Sequence, residues 1–373
     1  MVEQYLEHSR EILTSPYSGF KWGSKGSGLI SLFGPQNEYD LRIGFPLITT
    51  KKMWTRGIIE ELFWFFRGET NIKSLEDKKV TVWTPNVFQH NLPNMIKEGI
   101  FPAYIGSEEA KYSDEWEEAM SEFGQRIREN DEFAERWGDA GRIYGAQWRD
   151  WRHHDQDTGE VMSIDQLGET IDKMRKKPFG KKYLVSAWNV GELSDMSLPP
   201  CHVLFQLNVN NEENSDTPFL DLKLYQRSCD MFLGVPFNIT SYSMLTQIIA
   251  QQLDIEPRRF IHSFGDSHFY TGLEKRTGWY KNNLPELRHR VRELSKREDY
   301  LDVLGWIDEN APKDKKEEKY DHVTAIFEQL SRAPNKLPRL NITKGKKLDE
   351  LTVKDFTLED YDPHPRIDRK MHV

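Results

Sequence analysis

Apolar positions in this chain change period along its length, and the changes predict its elements. Tyr5, Leu6, Ile12 and Leu13 give residues 3–13 the spacing of a short amphipathic helix. A Gly/Ser/Lys stretch, 22–28, leads into a strand-like run at 29–33. It reads either as a phosphate-wrapping loop or as a flexible hairpin. Residues 56–67 are apolar nearly all round, with Ile58, Ile59, Leu62, Phe63, Phe65 and Phe66 surrounding Glu60 and Glu61. Such a helix is buried, and Gly68 is placed to end it.

Residues 183–190, 203–209 and 220–225 carry the β-branched and aromatic runs of strands, with a polar hairpin tip at 210–216. Helical spacing returns strongly over 240–253 through Tyr242, Leu245, Ile248, Ile249 and Leu253. A final strand is expected at 339–342. Two stretches differ in texture, about 87–140 and about 275–322, both dense in Lys, Arg, Glu and Asp with helix-like patches. They read as helical insertions carrying charged surface helices. No internal repeat and no regular βαβ alternation are visible. The expectation is an α+β fold, a mixed sheet packed with helices, forming one domain over 1–373 with two helical insertions.

Composition narrows the function. The 373 residues include 11 Trp and 20 Phe, enough for a sizeable core. A net charge of −9 argues against sequence-independent binding to nucleic acid, so phosphate recognition should be local, in a pocket. Two cysteines, Cys201 and Cys229, lack metal-ligand spacing and cannot frame a disulfide scaffold. With no apolar signal core at the start and no run near the ~20 apolar residues of a membrane span, a cytoplasmic setting is expected.

The candidate chemistry is concentrated between 198 and 242. Cys201 follows Pro199-Pro200 and precedes His202. A thiolate is a soft nucleophile suited to adding across an activated carbon–carbon double bond. Arg227-Ser228 offers a guanidinium fork and a hydroxyl for phosphate, although a surface ion pair has even odds. Asn238 can accept from a uracil N3–H and donate to O4, or simply serve a turn. Glu61 is a carboxylate in an apolar helix, and burial raises such a group toward neutral pH, where it can shuttle protons. Tyr144 is a second proton carrier candidate. His268 and Tyr270 alternate so as to share one face of a strand, where they can hold a sugar hydroxyl. A buried structural role is the commoner one for a cysteine taken alone, Cys201 included; it is the reading for Cys229, and the plainer alternative for His268 without context.

Several of these segments, in order, resemble the thymidylate synthase family. They are Phe45-Pro46-Leu47-Ile48-Thr49-Thr50-Lys51, Glu61-Leu62-Phe63-Trp64-Phe65 with Gly68-Glu69-Thr70-Asn71, and Tyr144-Gly145-Ala146-Gln147-Trp148-Arg149. Pro200-Cys201-His202, Gln226-Arg227-Ser228-Cys229-Asp230, Phe237-Asn238, Gly265-Asp266-Ser267-His268-Phe269-Tyr270 and Tyr361-Asp362-Pro363-His364-Pro365 follow. The resemblance implies reductive methylation of dUMP with methylene-tetrahydrofolate as co-substrate and no metal. Cys201 would add to pyrimidine C6, while Glu61 and Tyr144 handle protons. Gln226, Arg227, Ser228, Asn238, His268 and Tyr270 would bind the nucleotide. Lys51, Trp83, Leu198, Asp230, Leu233, Gly234 and Phe237 would line the folate site, with Val373 closing over it.

The resemblance also implies a homodimer whose subunits exchange phosphate-binding cations. Here the pattern departs. Lys181-Lys182 stand where the family has paired arginines, and Ser24-Lys25 where it has one. Lysine keeps the charge but loses the bidentate fork. Two rivals therefore stay in view. One is a pyrimidine-nucleotide hydroxymethylase, which lets water rather than hydride quench the methylene. The other is a non-catalytic scaffold or RNA-binding protein on the same fold.

Overall fold

A computed structural model describes residues 2–23, 27–212, 215 and 217–372. Lys25 and Val373, both named above, lie outside the described residues. In chain order the helices are α1 (Glu3–Thr14), α2 (Thr55–Phe66), α3 (Lys73–Glu76), α4 (Thr84–Lys97), α5 (Asp114–Glu129), α6 (Asp131–Trp137) and α7 (Tyr144–Arg149). There follow α8 (Gln166–Lys176), α9 (Gly234–Leu253), α10 (Glu274–Glu293), α11 (Tyr300–Asn310), α12 (Lys315–Lys319) and α13 (His322–Leu330). The strands are β1 (Gly19–Trp22), β2 (Gly28–Phe33), β3 (Gln36–Asp40), β4 (Trp151–His154), β5 (Val161–Ile164) and β6 (Leu184–Ser186). The rest are β7 (His202–Asn210), β8 (Phe219–Asp230), β9 (Glu256–Tyr270), β10 (Arg339–Ile342) and β11 (Phe356–Glu359). The fold is α+β, as the periodicity implies.

The described residues gather into two compact units, one within 2–55, 177–183 and 205–372, the other of 56–176 and 184–204. In the first unit the sheet runs β1-β2-β9-β8-β7, with β3 also on β9. β1, β2 and β3 are antiparallel to their partners, whereas β8 and β9 run parallel. A parallel pair needs a long crossover, and α9 provides it, packing on both strands. So one βαβ unit sits inside a sheet that otherwise lacks regular βαβ alternation, as expected.

Helix α9 begins at Gly234, well before the apolar spacing at 240 becomes evident. Val235-Pro236-Phe237, the segment before the Asn238 that could serve a turn, forms its first turn. Proline fits there because the first helical N–H groups have no intrahelical partner to lose. Nearly every residue of α9 is buried, small polar ones included; Thr240 and Thr246 return their hydroxyls to the carbonyls of Pro236 and Tyr242. The strand expected at 183–190 is shorter than its pattern. β6 covers three residues, and Asn189 then caps a 3₁₀ turn by accepting from Gly191 N–H.

In the second unit, α2 occupies the span expected of it, and Gly68 ends it at φ 65°, a conformation that costs glycine little. Helices α5 and α6 carry charge outward as expected, yet they are not merely decoration. Trp116, Phe123 and Phe133 turn inward, and Phe88 of α4 meets Phe101, Trp116 and Phe123 at centroid distances of 5.5–5.6 Å. The stretch 87–140 thus closes an aromatic core of its own.

Candidate active site

In the second unit, Cys201 directly precedes β7 and is partly exposed. Its backbone N–H donates to the Tyr144 hydroxyl at 2.8 Å. Tyr144 opens α7 at φ 25°, a conformation costly for a side chain with a Cβ. Packing holds it there. Its ring lies 4.9 Å from Phe65, 5.7 Å from Trp83 and 5.0 Å from His202. The next residue has to be glycine, since a Cβ at Gly145 would sit 2.4 Å from the Phe65 carbonyl oxygen.

Glu61 of α2 accepts from the indole N–H of Trp83 at 2.9 Å. An edge of Glu61 reaches solvent, yet protein atoms crowd its carboxyl. Burial pushes its pKa up to about 7, and the Trp83 hydrogen bond offsets only part of the rise. The adjacent Glu60 points elsewhere, to Lys78 at 2.7 Å. Among the candidates the second unit therefore groups Trp83 with Glu61 and with Tyr144, and Tyr144 with Cys201. Leu198 is half-buried on the loop leading to the cysteine.

The first unit groups the binding candidates on β8, α9 and β9. Ser228 pairs with Asp266 and Asp230 with His268 in the β8–β9 register. Gln226 is buried, accepting from His262 Nε2 at 2.8 Å and donating to Ser228 O at 3.0 Å. Asn238 lies buried in α9, and no hydrogen bond engages its carboxamide among the described residues. Burial holds the His268 pKa below its usual value, so the ring is neutral near pH 7. Its Nδ1 lies 3.0 Å from Asp266 O, while Nε2 is buried without a partner among the described residues. An unmatched buried ring nitrogen is costly, and a ligand hydroxyl would satisfy it. Cys229, by contrast, is fully buried and directs its thiol to Gln226 O at 3.2 Å.

Asp230 accepts from the N–H groups of Phe232 and Leu233, and His322 Nδ1 lies 3.3 Å from the same oxygen. Burial alone would raise this carboxyl. The His322 and His268 rings and the backbone donors outweigh it and hold the group ionised far below the carboxylate range.

Lys51 lies inside the protein, its ammonium 3.5 Å from the Phe232 ring centroid and donating to the Phe232 carbonyl. Burial depresses its pKa to about 7. It lines a cavity of about 430 Å³ with Lys52, Trp54, Leu233, Phe237 and Arg366. Lys181 and Lys182 are exposed, without a partner among the described residues. Sequence reasoning missed His322; the only trace of it was an aspartate–histidine pair opening an apolar helical run.

The second unit thus holds a partly exposed thiol at a strand end and a carboxyl poised near neutrality, and the first holds buried polar groups on β8, α9 and β9. The comparisons specify the class. A sequence profile of the family described as thymidylate synthase matches residues 3–373. Curated thymidylate synthases of Mesoplasma florum and Mycoplasma mobile are 33% and 35% identical over 373 residues, covering all of both chains. One from Listeria monocytogenes serotype 4b is 33% identical over 377 residues, again with full coverage. The chain belongs to the thymidylate synthase family, and it is a folate-dependent methyltransferase. No helix among the described residues is long and apolar enough to cross a membrane.

Proposed function

We propose that this enzyme converts dUMP to dTMP, taking both the one-carbon unit and the hydride from methylene-tetrahydrofolate and releasing dihydrofolate. The observation that carries the reading is Cys201, a partly exposed thiol before β7 whose N–H is fixed by Tyr144. Cys201 adds as thiolate to pyrimidine C6, which makes C5 nucleophilic. C5 then attacks the methylene carbon of the co-substrate. Tyr144 assists removal of the C5 proton, and Glu61, with a pKa near 7, relays protons through water. Release of tetrahydrofolate leaves an exocyclic methylene, which accepts a hydride from it. The C6–sulfur bond breaks as the product leaves.

Asn238 reads uracil N3–H and O4 with its unspent carboxamide. His268 Nε2 and Tyr270 hold the 3′-hydroxyl, and Arg227 with Ser228 the phosphate. Gln226 orders this end of β8 through its bonds to His262 and Ser228. Asp230 bonds the pterin, with Trp83, Leu198, Leu233, Gly234 and Phe237 packed around it. Lys51 faces the glutamyl side of the folate and Val373 closes over it.

The enzyme acts as a cytoplasmic homodimer in which Lys181 and Lys182 reach the neighbour's phosphate site. Their exposure, with no partner among the described residues, supports this. We read the whole chain as one catalytic domain with helical insertions at 87–140 and 275–322.

The test is the mass of the product. A gain of one CH2 on dUMP is expected, whereas a gain of CH2O would make the enzyme a hydroxymethylase. A ternary complex with 5-fluoro-dUMP and methylene-tetrahydrofolate should carry its adduct on Cys201. An unmodified thiol would remove the covalent mechanism.

A further inference from the structure

Tyr144 opens α7, a helix of six residues whose N-cap, Ile143, makes no side-chain hydrogen bond to it. So short a helix is not stable by itself. Three side chains brace it. The fully buried Gln147 turns back and donates through Nε2 to Arg142 O at 2.6 Å, closing a loop around Tyr144. Arg142 donates through Nη1 to Asp150 Oδ2 at 2.9 Å and through Nη2 to Asp150 O, so its guanidinium reaches from one end of α7 to the other. Glu192 joins the two. Its carboxylate accepts from Arg142 Nε at 3.1 and 3.2 Å and from Gln147 Nε2 at 2.5 Å.

Glu192 does not belong to α7. It lies in the 3₁₀ turn Val190–Asp195, on the segment that runs on to Cys201. The two segments meet at further points. Asn189 donates to Gln147 Oε1 at 3.3 Å, and Ser197 N–H donates to Ala140 O at 2.9 Å. At Gly141 an added Cβ would lie 2.3 Å from Asp195 O, so the backbones approach closely there. Glu192 thus ties the loop that carries Tyr144 to the loop that carries Cys201, through charge-assisted hydrogen bonds, the stronger kind.

We propose that Glu192 is a positioning residue for removal of the C5 proton: by holding Arg142 and Gln147 together it fixes the Tyr144 hydroxyl beside Cys201. This rests on the reading of Tyr144 as the residue that assists that step. When the C5–H bond breaks, its electron pair stays on the ring and the proton leaves by way of the tyrosine oxygen to water. That oxygen must sit within hydrogen-bond reach at that moment. Tyr144 is held at φ 25° against its own backbone preference, so it relaxes away once the loop around it opens. Glu192 acts only through its partners.

Two probes of the wild type, Glu192→Gln and Glu192→Ala test this. One is the rate of the covalent complex with 5-fluoro-dUMP and methylene-tetrahydrofolate, which needs the thiol but removes no C5 proton. The other is turnover of dUMP against dUMP deuterated at C5. Turnover should fall about 10²-fold in Glu192→Ala, the scale of a misplaced reacting group, and about tenfold in Glu192→Gln, which keeps an acceptor without the charge. The dUMP KM should change by less than about threefold, and so should the rate of complex formation. The deuterium isotope effect on kcat should grow in both variants. Equal slowing of complex formation and turnover overturns the proposal, and so does an isotope effect no larger than that of the wild type; Glu192 then only maintains the fold. Tyr144→Phe tests the underlying reading separately. If it leaves the isotope effect at the wild-type value, Tyr144 has no part in the proton step and the proposal falls with it. If it raises the effect while Glu192→Ala does not, the proposal alone fails.

Discussion

The thiol side and the binding side of this enzyme are built on opposite plans. Around Cys201, Tyr144 and Glu61, polar groups already satisfy one another: Tyr144 is engaged by the Cys201 N–H, and Glu61 by Trp83. On β8, α9 and β9 the Nε2 of His268 is buried without a partner among the described residues, and none of them hydrogen-bonds the carboxamide of Asn238, a buried residue of α9. Reacting groups need fixed orientation and a tuned proton affinity before substrate arrives. Recognition groups need empty valences that only the right ligand fills, because an unmatched buried group penalises the wrong one. In the proposed mechanism the contrast separates residues that would set rate from those that would set specificity.

Cys201→Ser should strike hardest, lowering turnover by at least about 10³-fold while dUMP still binds within about threefold, since it removes only the nucleophile. A comparable loss of binding, read by calorimetry, would break the division between the two sides. Glu61→Gln should cost about 10²–10³-fold in kcat and abolish the inflection near pH 7 in the rate profile. The same variant has a stability signature. The folded pKa of Glu61, about 7, lies above its ordinary 4.5, so its proton is held more tightly in the folded state. The stability this confers is present at low pH and is lost as pH rises through 7. Glu61→Gln should thus gain about 1–3 kcal/mol over the wild type at pH 8 and little at pH 4, measured by urea unfolding.

Asn238→Asp should shift preference from dUMP toward dCMP by about 10²-fold, with a smaller change in kcat on the favoured substrate. Unchanged uracil selectivity would take Asn238 out of the recognition set. The smallest effect is expected at Lys51. Its depressed pKa means that charge is recovered only below about pH 7. Lys51→Met should raise the KM of a polyglutamylated folate by about threefold at pH 6 and by less at pH 8, one surface-scale charge contact being worth little. An equal change at both pH values would show that the amine is not titrating in place.

Much of the fold was legible because its signals are local. The all-round apolar helix at α2, the strands β7 and β8 and the charged helices of 87–140 follow from short-range periodicity. Three features were not legible, each for a non-local reason. The parallel pairing of β8 with β9 joins strands separated by a whole helix. Helix α9 starts inside a segment whose proline and glycine read as a turn, because burial on two strands outweighs local propensity. The aromatic faces of α5 and α6 were masked by their charged residues until Phe88 and Phe101 met them. At the candidate site, the side chains proposed to react could be named one by one. Their partners could not, since Glu61–Trp83, Asp230–His322 and Tyr270–His372 join residues far apart in the chain.

The amino-acid order alone determined which groups exist: two thiols, a carboxylate set in an apolar helix, a carboxamide behind a proline, and lysines in place of arginines. Side-chain chemistry is a property of residue type and needs no fold to be read. Tertiary structure decided what those groups are worth. The desolvation that lifts Glu61 toward neutrality, the histidine that keeps Asp230 ionised and the stack that places His372 on Tyr270 depend on distances between residues remote in sequence. Electrostatic and packing energies change with ångströms of separation, and those separations are set only when the chain closes on itself.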